Sequence, residues 1–137
     1  MWQPEHTNQA YRRTAAGLLN SVLVVDDDEH FRELARGILE PAGFQVWEVE
    51  SVKQCVSWLA AHTVDVVLLD ILMPGRDGIE AVQEIKVMVP GAKIVTVSGA
   101  RNSDLYLAVS AHLGADASLA KSKIMSLCAL LDVLLDR

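Results

Sequence analysis

Asp65-Val-Val-Leu-Leu-Asp-Ile-Leu-Met-Pro-Gly-Arg-Asp-Gly78 is the stretch whose reading decides the architecture. From Val64 to Leu69 it is nearly unbroken Val and Leu, so an extended chain here is apolar on both faces. A strand with one wet face alternates apolar and polar residues. A strand apolar on both faces belongs to a parallel sheet covered by helices above and below. The run ends on an acid, Asp70, and Pro74, Gly75 and Gly78 then break the regular pattern.

Outward from this stretch the same pattern recurs. Val22 to Val25, Phe44 to Val49, Lys93 to Val97 and Ala117 to Ala120 are four further short apolar runs. Amphipathic segments separate them. Phe31, Leu34, Ile38 and Leu39 define one helical face, stopped by Pro41 and Gly43. Ser51 opens a second helix, with Gln54 as its capping-box partner. Ile79, Val82, Ile85 and Val89 define a third, closed by Pro90-Gly91. Leu105, Ala108, Val109 and Leu113 define a fourth, closed by Gly114. Ser122 is expected to cap the last, which runs to the end of the chain with Ile124, Leu127, Cys128, Leu131 and Leu135 on its buried side. Five strands alternating with five helices predict an α/β fold with a doubly wound parallel sheet.

A chain of 137 residues suits one such domain, residues 21–137. Residues 1–20 lack periodicity and are expected to form a flexible tail. Half the chain is apolar (51%) and the net charge is −6 without any basic run, which excludes a broad nucleic-acid footprint. No apolar run approaches the ~18–20 residues of a membrane span, and the polar N-terminus is unlike a signal peptide. A cytoplasmic location is expected. Cys55 and Cys128 read as reduced core residues, and His6, His30, His62 and His112 as surface residues without a partner at ligand spacing.

In a doubly wound sheet, ligands bind beyond the carboxyl ends of the strands, where strand order reverses. The residues at those ends are Asp26-Asp27-Asp28, Asp70, Ser98 and Lys121. Taken singly each has a bland explanation: Asp28 as a helix N-cap, Ser98 as a turn residue, Lys121 as a solvated cap. Together they gather several carboxylates, a hydroxyl and an ammonium on one edge. Clustered carboxylates raise one another's pKa and call for a cation. An open, all-oxygen site suits Mg²⁺, which retains waters and accepts a phosphate oxygen. A phosphoryl group moving onto a carboxylate would then be held by the lysine and the hydroxyl. Asp70, on the central strand, is the expected nucleophile.

Val22-Leu-Val-Val-Asp-Asp-Asp28 and Asp65 to Gly78 resemble the signature segments of response-regulator receiver domains, Met73-Pro74 and Asp77-Gly78 especially. The resemblance spans about Ser21 to Arg137 and implies a flavodoxin-like receiver fold. It further implies Asp26 and Asp27 as metal-binding acids, with the Leu72 backbone carbonyl as another Mg²⁺ ligand. Asp70 would be the phosphorylated aspartate, Ser98 the switch hydroxyl and Lys121 the phosphoryl-contacting lysine. Two positions depart from the family pattern. Ser122 replaces the proline that usually follows the lysine in a cis peptide, a bond costing about 2.5–4 kcal/mol without proline. Ser118 replaces the switch aromatic, so coupling through a rotating ring is lost.

The expected function is a regulatory switch rather than an enzyme, acting only in its own phosphorylation and dephosphorylation. It would receive its phosphate from a sensor histidine kinase or a histidine phosphotransfer protein. Because the sequence stops after the fifth helix, output by protein contact is expected, in a stand-alone regulator or relay intermediate. The fourth helix, fifth strand and fifth helix, with Met125, Ala129 and Val133 as an apolar stripe, would serve a homodimer or downstream protein. Neither nucleic acid nor membrane is expected as a direct partner. Two rivals remain: an aspartate-nucleophile phosphohydrolase of the haloacid-dehalogenase type, with Asp26 as nucleophile and Asp28 as acid, or a docking module that has lost its switch. A flavin site is disfavoured, because acids follow the first strand where an anion-binding glycine turn is needed.

Overall fold

The computed structural model describes residues 20–73, 78–99 and 103–137. The apolar runs form five parallel strands: β1 (Ser21–Val25), β2 (Gln45–Val49), β3 (Val66–Asp70), β4 (Lys93–Ser98) and β5 (Ala117–Ala120). Their order is β2-β1-β3-β4-β5, so the chain reverses its direction of travel between β1 and β3. In register, Val25 lies beside Leu69, Asp70 beside Val97 and Ser98 beside Ala120. The acids after β1, the end of β3 and the end of β4 therefore come to one edge. The expected segment before residue 20 and the Pro74–Asp77 part of the signature lie outside the described residues.

Helices α1 (Glu29–Leu39), α2 (Val52–Leu59), α3 (Gly78–Met88), α4 (Ser103–His112) and α5 (Leu127–Leu134) cover the sheet. Alternate strand residues feed two cores. Val22, Val24 and Leu68 pack with Phe31 and Leu39 of α1 and with Leu127 and Leu131 of α5. Leu23, Val25 and Leu69 pack with Cys55 and Leu59 of α2 and with Val82 and Ile85 of α3. Every residue of β3 is buried, which is why its sequence shows no alternation.

Local signals set the helix starts. Asp28 caps α1 by accepting the His30 N–H. Ser51 Oγ accepts the Gln54 N–H at 3.1 Å, while Gln54 Oε1 reaches back to the Glu50 N–H at 2.8 Å. At the opposite edge of the sheet Asp65 has a structural task. Its Oδ2 accepts the Ser21 N–H at 2.8 Å, and its own N–H donates to Ser21 Oγ at 3.1 Å, tying β1 to the entry of β3. Both cysteines are free, Cys55 buried and Cys128 half-buried.

Three expectations are corrected. In α1 the buried face is Phe31, Ala35 and Leu39, with Leu34 exposed. In α4 the buried side chains are Leu107 and Ser110, whereas Ala108 and Val109 face solvent. The segment Leu105-Tyr106-Leu107-Ala108-Val109 is apolar nearly all round, so helical spacing alone does not select its inner face. Leu105 lies among the side chains left undescribed. The last helix starts later than Ser122: Lys121–Ser126 is a 3₁₀ segment, interrupted at Lys123 (φ −108°, ψ 22°), and no side chain caps its start. Helix α5 ends at Leu134, before a left-handed residue at Asp136 (φ 57°). Along the 3₁₀ segment and α5, Ile124, Leu127 and Leu131 are buried as expected, Cys128 and Leu135 are only half-buried, and Met125 and Val133 face solvent.

Candidate functional site

Asp26 is the first residue beyond β1 and is fully buried. Asp70, the last residue of β3, is 4% exposed. Asp27 is exposed, so the cluster has a closed floor and an open mouth. Carboxylate oxygens of Asp26, Asp27 and Asp70 lie within 4.8 Å of one another. Lys121, just past β5, extends across β4 to both buried acids. Its Nζ stands 2.8 Å from Asp26 Oδ2 and 3.2 Å from Asp70 Oδ2. Both contacts are charge-assisted, and the one to Asp26 is the shorter.

Backbone groups hold the carboxylates in place. Asp26 Oδ1 accepts the Asp28 N–H at 2.9 Å, and Asp70 Oδ1 accepts the Leu72 N–H at 3.0 Å. Both contacts span two residues, the way aspartate organises a turn that follows it. Leu72 thus sits at the same edge through its own backbone. Ser98 closes β4 one residue beyond Val97, the register partner of Asp70, and is buried.

Burial is the main influence on Asp70, whose pKa rises to about 6. The Leu72 N–H opposes that rise, the neighbouring Asp26 charge adds to it, and Lys121 opposes it. For Lys121, burial works against the ammonium, but the facing Asp26 and Asp70 outweigh it and its pKa is raised. The lysine remains charged.

A hard divalent cation fits this donor set. It is all oxygen, and its three carboxylates outnumber the Lys121 ammonium that faces them, so it carries excess negative charge. Near the mouth, such a cation would keep water on its open side.

The two departures from the family pattern have structural counterparts. All described peptide bonds are trans, Lys121–Ser122 included, and the chain passes from β5 directly into the 3₁₀ segment. Ser118 is exposed and lies beside Thr96 of β4. Thr96 instead pairs with α4: Thr96 Oγ1 and Ser110 Oγ are 2.7 Å apart, and Ser110 Oγ donates to the Leu107 carbonyl at 2.7 Å.

Several residues support the site in ways that the sequence pattern does not reveal. Phe31 lies 4.4 Å beneath the Lys121 ammonium, a cation–π contact. Gly99 lets the lysine stem pass, since a Cβ there would stand 3.2 Å from Lys121 Cδ. Arg32, one turn into α1, donates from Nη1 to the Asp26 carbonyl at 2.7 Å and from Nε to Glu48 Oε1 at 3.1 Å. Arg32 and Arg36 occupy i, i+4 positions and so share a helix face, but their joint acceptor on β2 emerges only from the fold. Asp28, the acid of the hydrolase rival, is engaged as the α1 cap. No histidine joins the acidic group among the described residues, and His62 stacks on Trp58 with ring centroids 4.5 Å apart.

Comparison with known proteins agrees with this fold. The chain is 42% identical over 78 residues to the chemotaxis protein CheY of Halobacterium salinarum, covering 57% of this chain and 65% of that protein. It spans less than two thirds of the length of the first curated relatives it matches, which include transcriptional regulators. A CheY-like receiver domain from Methanospirillum hungatei JF-1 superposes with a TM-score of 0.78 at 26% identity, covering 86% of this chain and 94% of that one. The response regulator TrrA from Thermotoga maritima, solved in complex with Mg(2+)-BeF, gives a TM-score of 0.65 at 30% identity, covering 74% of this chain and 85% of that one. Among the described residues no helix is long and apolar enough to cross a membrane. The model of the response regulator receiver domain matches residues 22–132, nearly the whole sheet-and-helix unit, and the chain belongs to that family.

Proposed function

We propose that this chain is a phosphorylation switch of a two-component phosphorelay, with Asp70 as phosphoacceptor. The observation that carries the reading is the Lys121 ammonium bridging two buried carboxylates, Asp26 and Asp70, where strand order reverses. Asp26, Asp27, Asp70 and the Leu72 carbonyl would hold Mg²⁺. When bound, the ion neutralises charge on a transferring phosphoryl group.

The chain's own residues do the rest. A carboxylate oxygen of Asp70 forms the new O–P bond as the P–N bond to the donor imidazole breaks; that bond's electron pair stays on the nitrogen, and the ring leaves neutral because its other nitrogen already carries a proton. Lys121 turns from its carboxylate partners to the phosphoryl oxygens. The Leu72 N–H holds the second Asp70 oxygen, so the nucleophile is oriented before the donor arrives. Ser98 donates its hydroxyl to another phosphoryl oxygen. The donor is a sensor histidine kinase or a histidine phosphotransfer protein.

Output passes through protein contact at α4, β5 and α5. Met125 of the 3₁₀ segment and Val133 of α5 are 77% and 78% exposed and form an apolar stripe for a downstream protein or second copy. With Ser118 exposed in place of an aromatic, the signal reaches this surface through the loop after Ser98 and the Thr96–Ser110 contact.

Phosphoramidate or acetyl phosphate with Mg²⁺ is expected to add one phosphoryl group by intact mass, and EDTA to prevent it. Asp70→Asn is expected to lose the adduct. An unchanged adduct in that variant overturns the assignment and favours Asp26 as nucleophile. Absence of any adduct in the wild type favours a docking module without a switch.

A further inference from the structure

We propose that Arg32 is a positioning residue for the acidic pocket, fixing the peptide that joins Asp26 to Asp27 and thereby the aim of the Asp27 carboxylate. This rests on the Mg²⁺ site of the proposed function. Asp27 is exposed and makes no ion pair or side-chain hydrogen bond among the described residues, so only its backbone constrains it. Asp26, in contrast, is held at three points besides Lys121. Its N–H donates to the Val49 carbonyl at 3.2 Å, its Oδ1 accepts the Asp28 N–H at 2.9 Å, and its carbonyl accepts Arg32 Nη1 at 2.7 Å. The last contact matters most for Asp27. A trans peptide is a rigid plane, so anchoring its oxygen sets the orientation from which the next Cα and its side chain depart.

Arg32 is itself oriented. Its side chain is 13% exposed, and Nε is paired with Glu48 Oε1 at 3.1 Å. The other Glu48 oxygen takes Arg36 Nε at 2.6 Å. Arg36 already ties α1 to β2, and the Arg32–Asp26 contact is not needed for that. A guanidinium presents several donors in a fixed fork, so one Arg32 side chain can serve Glu48 and the Asp26 carbonyl together. An ammonium is a single point of charge and serves such a pair poorly.

The sign of the effect separates positioning from simple charge. Removing a cation near an acidic pocket lowers repulsion and, by Coulomb's law alone, tightens Mg²⁺ binding. Loss of an outer partner that orients metal ligands weakens binding, typically by about 10–100-fold. Calorimetric titration of the full chain with MgCl₂ distinguishes the two. Arg32→Met, which keeps the aliphatic stem, is expected to weaken Mg²⁺ binding about 10-fold. Arg32→Lys, with charge kept, should weaken it to a lesser degree, and Arg36→Met should stay within about twofold of wild type. Wild-type or tighter affinity in Arg32→Met overturns the inference, as does an equal loss in Arg36→Met, which would indicate a general staple. If Arg32→Met does not fold, wild-type affinity in Arg32→Lys overturns it. A wild type that takes up no Mg²⁺ refutes the proposed metal site itself, a separate outcome.

Discussion

The two halves of the sheet's carboxyl edge are built differently. On the β1–β3 side, both strands are buried through their apolar residues, and Asp26 and Asp70 are each held by a backbone N–H two residues on. On the β4–β5 side, β5 is only four residues long and lacks a fully buried one, and Ser118 faces solvent. Helix α4 meets the sheet partly through a hydroxyl pair, Thr96 with Ser110. The half that gathers the carboxylates thus sits on two buried strands, while the half expected to transmit a change joins a buried strand, β4, to an edge strand without a buried residue. Elements that must move are drawn from the less stable parts of a fold. The family's aromatic is absent from this second half, yet its edge strand stays less buried than the strands that hold the acids.

Core truncation gives the largest test of this contrast. Leu68→Ala in β3 should cost about 2–5 kcal/mol, as a cavity in a fully buried strand, and Leu119→Ala in β5 about 1 kcal/mol. Urea denaturation followed by circular dichroism measures both, and equal losses would break the comparison.

Next comes the charge stored on the carboxylate side. Burial raises the Asp70 pKa from 3.8 to about 6. Between those values the folded protein keeps a proton that the unfolded chain has released. Stability therefore falls as pH rises through this window and stays lower above it. Asp70→Asn should raise metal-free stability at pH 7.5 by on the order of 2 kcal/mol, with the gain shrinking toward pH 4. Thermal melts in EDTA across that range are the check, and a gain independent of pH would count against the stated cause.

A smaller effect is expected at the α4 clasp. Thr96→Val removes a buried hydrogen-bond partner and should cost about 1 kcal/mol. Amide exchange in α4 should accelerate more than exchange in α1. Least of all, Ser118→Tyr should change stability by less than about 0.5 kcal/mol, since the residue is exposed. A large stabilisation would mean that an aromatic pocket is present there after all.

Much of this fold is legible in the sequence because parallel strands covered on both faces must be apolar throughout. β3 and the aspartates beyond β1 and β3 stand out for that reason. Where a segment is apolar all round, as in α4, the same reasoning cannot say which face is buried, and Ser110 was hidden among better candidates. The 3₁₀ entry to α5 escaped because Ser122 has the chemistry of a cap but makes no capping bond. Ser98 and Lys121 could be placed by their strand ends alone. The partners Phe31, Arg32 and Glu48 could not, because their roles depend on how α1 and β2 meet around β1. Asp65 interrupts the apolar run, and its task follows only from the packing of Ser21 beside it.

Lys121 begins beyond β5 yet ends between carboxylates of β3 and β1, so its stem must cross the end of β4 at Gly99. That crossing couples the residue choices sterically open to the two positions. Alanine at residue 99 would ask a few tenths of an ångström from a flexible methylene chain. A β-branched residue would ask for more, because its extra atoms leave Cβ stiffly. The residue with no functional group thus limits the sequences in which the lysine can do its work, and change at 99 is tolerable only as far as the lysine can lean aside.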